Sequence, residues 1–306
     1  MQKKLIILLG PTGIGKTELS LNIAEHFGVE ILSCDSRQFF KEMKIGTATP
    51  TSDQLKRAKH HFIGMLSIND YYSCGKFEVD ALKKLSELFE EKGLALMTGG
   101  SMLYIDAVCK GIDELPEVDQ NLRDSLNERF RTEGIDNMRA ELKLLDPEYA
   151  NLVDPKNHKR IIRALEICLT SGKTYSSIRK EQQKTRPFDI IKIGLEMQRE
   201  ELYARINKRV DNMMEDGLLE EAKSLYPYKE MNALNTVGYK EMFNYLDGTW
   251  TLEYAREMIK QNTRHYAKKQ LSWFHRDDEI NWFHPSQREE IIRLIESKIN
   301  DGAGKR

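Results

Sequence analysis

Residues Gly10, Pro11, Thr12, Gly13, Ile14, Gly15, Lys16 and Thr17 follow the spacing G-x-x-x-x-G-K-[ST] of a phosphate-binding loop. The glycines let successive backbone N–H groups turn toward an anion at the positive end of a following helix. Lys16 adds a charge, and the Thr17 hydroxyl is placed to hold a magnesium ion bound to phosphate oxygens. The apolar run 5–9 reads as the buried strand before the loop. Leu19, Leu21, Ile23 and Ala24 read as the apolar residues of the helix after it. The motif specifies phosphate binding. It leaves open whether phosphate is transferred, hydrolysed or the leaving group.

Other residues could act beside this loop. Asp35 stands just after a candidate strand, residues 29–34, at the strand edge where ligands of open α/β sheets bind. It could serve as a general base, as a magnesium partner or as a plain helix N-cap. Ser101, in Thr98-Gly99-Gly100-Ser101, follows the candidate strand 94–98 and opens a helix. Its hydroxyl could meet a second phosphate or a substrate oxygen, or simply cap the helix. No acidic residue ends that strand, so the aspartate expected of an ATPase is missing.

On the helical pattern 201–214, Leu202, Ile206, Val210 and Met213 form one stripe, and Arg209 falls inside it, with Arg205 at its edge. An inward guanidinium must be paired, either with a buried carboxylate or with a bound phosphate. Arg256, Lys260, Arg264 and Lys268 recur every four residues, a mildly destabilising arrangement that a polyanion would relieve. Lys269, Arg276, Trp273 and Phe274 lie close by in sequence. In the helical pattern 157–169, Ile161, Ile162, Leu165, Cys168 and Leu169 face inward, while Lys159, Arg160 and Arg163 face out. These two basic helices suggest an RNA or DNA partner.

The 306 residues carry 47 Lys and Arg against 48 Asp and Glu, so any nucleic-acid surface must be local rather than global. The longest apolar run, 5–9, is far too short to span a membrane. The lysines at 3 and 4 lead only into that run and the glycine loop, so no signal peptide is expected and a cytoplasmic location is. Four scattered cysteines suggest neither a disulfide framework nor a zinc site, and His60-His61 are expected to be structural.

Candidate strands at 5–9, 29–34, 61–65, 94–98 and 190–195 alternate with helical patterns such as 77–92, which predicts a parallel sheet covered on both faces. The stretch from 111 to 187 has helical periodicity only, and everything after Arg199 reads as helix. The expected fold is therefore α/β, a P-loop NTPase-like parallel sheet flanked by helices with an inserted all-helical subdomain. Residues 1–110 and 188–306 form the catalytic core and 111–187 the insertion. The polar tail 300–306 is expected to fray.

The segments GPTGIGKT (10–17), SCDSRQFF (33–40), KIGTATP (44–50), TGGSMLY (98–104), KRIIRALE (159–166), REELYARINKRVDNM (199–213), VGYKEM (237–242) and TRHYAKKQLSWF (263–274) together resemble the tRNA dimethylallyltransferase family, bacterial type. The ordered set spans nearly the whole chain, whereas a lone phosphate loop is shared by many enzymes. The resemblance implies transfer of a dimethylallyl group from dimethylallyl diphosphate to N6 of adenine 37 in tRNAs reading codons that begin with U. It implies that Gly10 to Thr17 hold the diphosphate with Mg2+ at Thr17, that Asp35 is the base, and that Arg209 and Ser101 hold or polarise the diphosphate. It further implies tRNA contacts from Asp35, Ser36, Arg37, Gln38, Ser101, Arg123, Lys159, Arg160, Ile161, Ile162, Arg163, Arg264 and Lys268, with the insertion gripping the anticodon stem-loop of a tRNA bound by a monomer.

Three positions depart from the family pattern: Ser101 for threonine, Thr49 for a frequent lysine, and Phe39-Phe40 for a pair that often includes tyrosine. None touches the proposed base. Rival readings are a small-molecule kinase, a transferase acting on free adenine nucleotides, and an RNA-binding protein that uses nucleotide as a switch.

Overall fold

The computed structural model describes residues 2–113, 115–116, 119–179 and 184–300. The polar tail beyond Asn300 lies outside them. Six strands form one parallel sheet: β1 (Lys4–Leu9), β2 (Ile31–Cys34), β3 (His60–His61), β4 (Leu94–Gly99), β5 (Asp189–Leu195) and β6 (Asn281–Phe283), in the order β3-β2-β4-β1-β5-β6. Central β1 pairs with β4 from Lys4↔Leu94 to Leu9↔Gly99 and with β5 from Lys4↔Asp189 to Leu9↔Gly194.

Alternation along β1 sends side chains to two separate cores. Leu5, Ile7 and Leu9 pack on one face with Phe77, Ala81 and Leu85. Ile6 and Leu8 pack on the other with Leu19, Ile23, Leu202 and Ile206. Both faces are covered, which is why the strand reads as a continuous apolar run. Each of its fully buried side chains contributes about 1.5–3 kcal/mol.

The helices are α1 (Lys16–Phe27), α2 (Ser52–Arg57), α3 (Cys74–Lys92), α4 (Met102–Lys110), α5 (Gln120–Glu133), α6 (Ile135–Leu145), α7 (Pro147–Leu152), α8 (His158–Ser171), α9 (Tyr175–Ile178), α10 (Arg199–Glu215), α11 (Leu218–Leu225), α12 (Tyr239–Leu246), α13 (Leu252–Phe274) and α14 (Arg288–Asn300). Helix α3 starts three residues before the expected Phe77, because Ser73 caps it by accepting the Lys76 N–H.

Two strand expectations are corrected. The run 61–65 contributes only His61 to β3, since Phe62 (φ 64°) and Gly64 (φ 57°) turn left-handed and leave the extended path. The segment after Arg199 is not all helix, because Asn281–Phe283 adds a parallel edge strand to β5. Three residues are too few to show an alternation in sequence. His61 rests on Glu30 at 2.6 Å and His60 on the Ala58 carbonyl at 2.8 Å, so each imidazole has a structural partner.

The chain divides into two compact units, residues 1–109 with 186–306, and residues 110–185. The second is helical, with Leu126, Met138, Leu142, Ile161 and Leu165 at its centre. Asp146 joins its parts, accepting the N–H of Tyr149 at 3.0 Å to cap α7 and the N–H of Ser176 at 2.8 Å in α9. Burial raises this carboxyl's pKa, but the bonds from Ser176 and Tyr149 outweigh it and hold the group below its ordinary range.

Candidate functional site

Three neighbouring strands deliver three loops to one sheet edge. The phosphate loop follows β1, Asp35 follows β2, and Gly100-Ser101 follow β4. Thr12, Gly13, Gly15, Lys16, Thr17, Asp35 and Gly100 line one cavity of about 860 Å³ in the sheet-bearing unit.

Gly15 begins α1 with φ 104° and no side-chain cap. The first N–H groups of the helix are therefore open to an anion. A Cβ on Gly13 would lie 2.8 Å from Ile206 Cγ1, so α10 packs directly on the loop. Ile14 is fully buried and can offer an anion only its backbone.

Lys16 Nζ donates to the carbonyls of Gly10 (2.9 Å) and Pro11 (2.8 Å). Burial pulls its pKa down to about 7; the Asp35 charge opposes this and the Arg209 charge adds to it. An arriving diphosphate restores the ammonium, so above pH 7 binding takes up a proton and weakens as pH rises. Titration calorimetry of inorganic diphosphate in buffers of different ionisation enthalpy reads that uptake. Wild type is expected to take up about one more proton at pH 8 than Lys16→Arg, whose charge does not titrate. Equal uptake by the two proteins refutes the expectation.

Asp35 does not cap a helix. Its Oδ1 accepts the Arg37 N–H at 3.0 Å, closing a turn, and the carboxylate lines the cavity. Ser36 donates its N–H to Ser101 Oγ at 2.9 Å, which fixes this loop against the one after β4. Ser101 is buried and absent from the cavity wall, so its hydroxyl serves the Asp35 loop. The Gln38 amide donates to the carbonyls of Thr47 and Ala48, 3.2 Å each. Arg37 also lines the cavity, and its guanidinium donates to the carbonyls of Asn232 (3.0 Å) and Ala233 (2.9 Å).

Arg209 lines the cavity from α10. Its hydrogen bond among the described residues is a long one, 3.4 Å to the Thr47 carbonyl. The buried carboxylate considered as its partner is not found there. Burial lowers its pKa while the Asp35 charge opposes that shift. A guanidinium in this state is suited to a bound phosphate. Thr17 also faces the cavity, and no group of three or more His, Cys, Asp or Glu able to hold a metal occurs among the described residues. One hydroxyl together with phosphate oxygens and water suits magnesium, which takes few protein ligands.

Several cations expected to meet RNA are already engaged. Arg123 and Arg163 both bind the carboxylate of Glu166, which is 2% exposed; the Arg163 contact is 2.8 Å. Ile161 and Ile162 lie in the helical core and cannot offer side chains to a ligand, while Leu169, expected inside, is exposed. Lys159 and Arg160 are exposed.

The ridge on α13 is also compensated. Arg256 and Lys260 both reach Asp211, at 2.6 and 2.9 Å, and Arg264 donates to Asn207 at 2.6 Å. Acidic and amide groups on α10 thus relieve the like-charge spacing without a polyanion. Arg264 and Lys268 are not part of the cavity wall. Trp273 donates to Asp106 and Phe274 is buried, so neither is a free stacking surface.

The cavity wall also carries Lys208, Lys240 and Tyr266, which sequence reading did not select, together with Arg205 and Lys269, which it placed at the edge of the stripe on α10 and beside the ridge on α13. The polar wall residues 205, 208, 209 and 212 on α10, and 262, 263, 265, 266, 269 and 270 on α13, keep helical spacing. A search for polar residues at that period would have found them. Glu221 was missed as well. It accepts the N–H groups of Lys44, Ile45 and Gly46 at 2.8–2.9 Å and holds the 44–48 loop in place beside the site.

A family model described as IPP transferase matches residues 38–277. The chain is 58% identical over 297 residues to tRNA dimethylallyltransferase 1 of Bacteroides fragilis, covering 97% of this chain and 99% of that one. It is 54% identical over 301 residues to the tRNA dimethylallyltransferase of Christiangramia forsetii, covering 98% and 100%. Among solved structures, it resembles the full-length tRNA isopentenylpyrophosphate transferase of Bacillus halodurans with TM-score 0.73 and 34% identity, over 99% of this chain and 98% of that one. A eukaryotic dimethylallyltransferase acting on tRNA is similar with TM-score 0.81 and 25% identity, over 98% and 80%.

Proposed function

This chain belongs to the IPP transferase family, the tRNA dimethylallyltransferases, and from that premise we propose the reaction it carries out. It transfers a dimethylallyl group from dimethylallyl diphosphate to N6 of adenine 37 in tRNAs that read codons beginning with U, as a cytoplasmic monomer. One observation carries the proposal: the phosphate loop, the Asp35 carboxylate and Arg209 line the same cavity.

The residues match what the chemistry requires. An exocyclic adenine amine is a weak nucleophile because its lone pair is delocalised into the ring. An allylic diphosphate is a good electrophile once its leaving group is neutralised. As the N6–C1 bond forms, the C1–O bond breaks and its electron pair leaves with diphosphate. Asp35 takes the amine proton. The loop amides, Lys16 and Arg209 stabilise charge on the departing diphosphate. Thr17 would hold a magnesium ion, which would supply further neutralisation of that charge. The adenine must leave its stack to reach the cavity. Lys208, Lys240 and Lys269 on the wall meet RNA phosphates, and Lys159 and Arg160 on the helical unit add to them.

The test is incubation of dimethylallyl diphosphate with unmodified tRNA and mass spectrometry of nucleoside 37. A dimethylallyl mass increment there is expected; no increment with active-site-competent protein overturns the reading. For the helical unit, the paired change Lys159→Gln with Arg160→Gln is expected to flatten the slope of log affinity against log salt by about 1.5. An unchanged slope removes that helix as a contact surface. Arg163→Gln acts differently, because it strips a partner from buried Glu166 and lowers stability.

A further inference from the structure

We propose that Gln270 is a positioning residue that holds the phosphate loop and the Asp35 loop in one register, an inference that rests on the reaction proposed above. Gln270 sits on α13 and is 2% exposed. A buried primary amide is costly unless both its ends are paired. Here Oε1 accepts the N–H of Thr12 in the phosphate loop at 2.9 Å, and Nε2 donates to the carbonyl of Gly100 at 2.8 Å. The amide orientation is dictated by its partners, since one is a donor and the other an acceptor.

The contacts continue from Gly100 to the base. A Cβ at residue 100 would fall 2.3 Å from Gln270 Nε2, and one at residue 99 would fall 2.0 Å from the Cys34 carbonyl oxygen. Glycine at both positions lets the loop after β4 fit between α13 and the end of β2. Ser101 N–H then donates to the Cys34 carbonyl at 3.3 Å, and Ser101 Oγ accepts the Ser36 N–H at 2.9 Å. Asp35 lies between those two anchored residues. One side chain therefore links the loop for the leaving group to the loop that carries the base, through hydrogen bonds that reach 258 and 170 residues along the chain.

Transfer needs the amine, the allylic carbon and the departing oxygen aligned, and a misplacement of about 1 Å can cost about 10²-fold in rate. If the two loops lose register, the diphosphate can still leave. Water then attacks C1 in place of N6: the C1–O bond to diphosphate breaks, a bond from C1 to the water oxygen forms, and one water proton is released. The product is dimethylallyl alcohol with diphosphate.

The experiment uses Gln270→Met in the full chain, which keeps side-chain length and removes both hydrogen bonds. Labelled dimethylallyl diphosphate and tRNA report prenyl-tRNA and released alcohol together. The expected result is a fall in kcat for transfer of about 10²-fold, KM for tRNA unchanged within about threefold, and about a tenfold rise in alcohol per prenyl-tRNA. Wild-type transfer, or a slower transfer with an unchanged product ratio, overturns the proposal. If Gln270→Met does not fold, Gly100→Ala displaces the Gln270 amide from the opposite side and should shift the product ratio in the same direction; an unchanged ratio overturns the proposal. Failure of the wild-type protein to prenylate tRNA removes the underlying reaction instead, so the two outcomes are distinguishable.

Discussion

Asp35→Asn is expected to lower the rate constant for prenyl transfer by about 10²–10⁴-fold while tRNA still binds. The geometry makes this substitution clean. Asp35 Oδ1 accepts the Arg37 N–H at 3.0 Å, a bond that an asparagine oxygen can also accept, so the turn after β2 is preserved. What is lost is the capacity to take a proton. The other carboxylate on the cavity wall, Glu241, cannot readily replace it. Glu241 is 3% exposed and already accepts the Gly238 N–H at 2.8 Å and the Asn262 amide at 2.7 Å. Single-turnover prenylation with tRNA in excess, read beside a tRNA-binding titration, separates the chemical step from affinity. Turnover within about threefold of wild type would remove Asp35 as the base.

Arg209→Ala is expected to reduce kcat by about 10²–10³-fold with a smaller rise in KM for dimethylallyl diphosphate. Charge grows on the diphosphate as the C1–O bond breaks, so a donor that engages it most strongly at that moment acts on kcat. Arg209 is desolvated, with one long hydrogen bond to the Thr47 carbonyl, and Asp35 is the charge that offsets its burial. A second readout comes from its effect on Lys16, whose pKa it helps to lower. Without Arg209 the Lys16 ammonium is easier to keep, and the midpoint of proton uptake on ligand binding moves above about pH 7. An unchanged kcat, or an unmoved midpoint, would show that the guanidinium does not share the anion site with Lys16.

These two experiments also separate kinds of knowledge. Asp35 and the phosphate loop are legible in the sequence because a strand ending and a glycine spacing are local patterns. Arg209 is legible because helical periodicity places it among Leu202, Ile206 and Met213, whatever lies opposite. That no carboxylate forms an ion pair with it among the described residues is a tertiary fact. The same limit explains which partners the sequence could not show. Arg163 faces outward by the period of its own helix, and Arg123 is picked out only by the family resemblance, yet both bind Glu166 in the fold. Arg256 and Lys260 look like a polyanion ridge until α10 brings Asp211 against them.

By itself the sequence determined the alternation of strands and helices up to β5, the phosphate loop and a candidate base, because each is encoded within one element or at its end, but it did not show the three-residue strand β6. The ordered motifs also determined the family. Tertiary structure alone decided which charges are free. A cation's availability depends on partners supplied by elements distant in the chain, and no periodicity within its own helix records them. It also decided that Gln270, an unremarked residue of α13, bridges Thr12 and Gly100. A buried amide gains its role from two backbone groups that only folding brings within 3 Å of it.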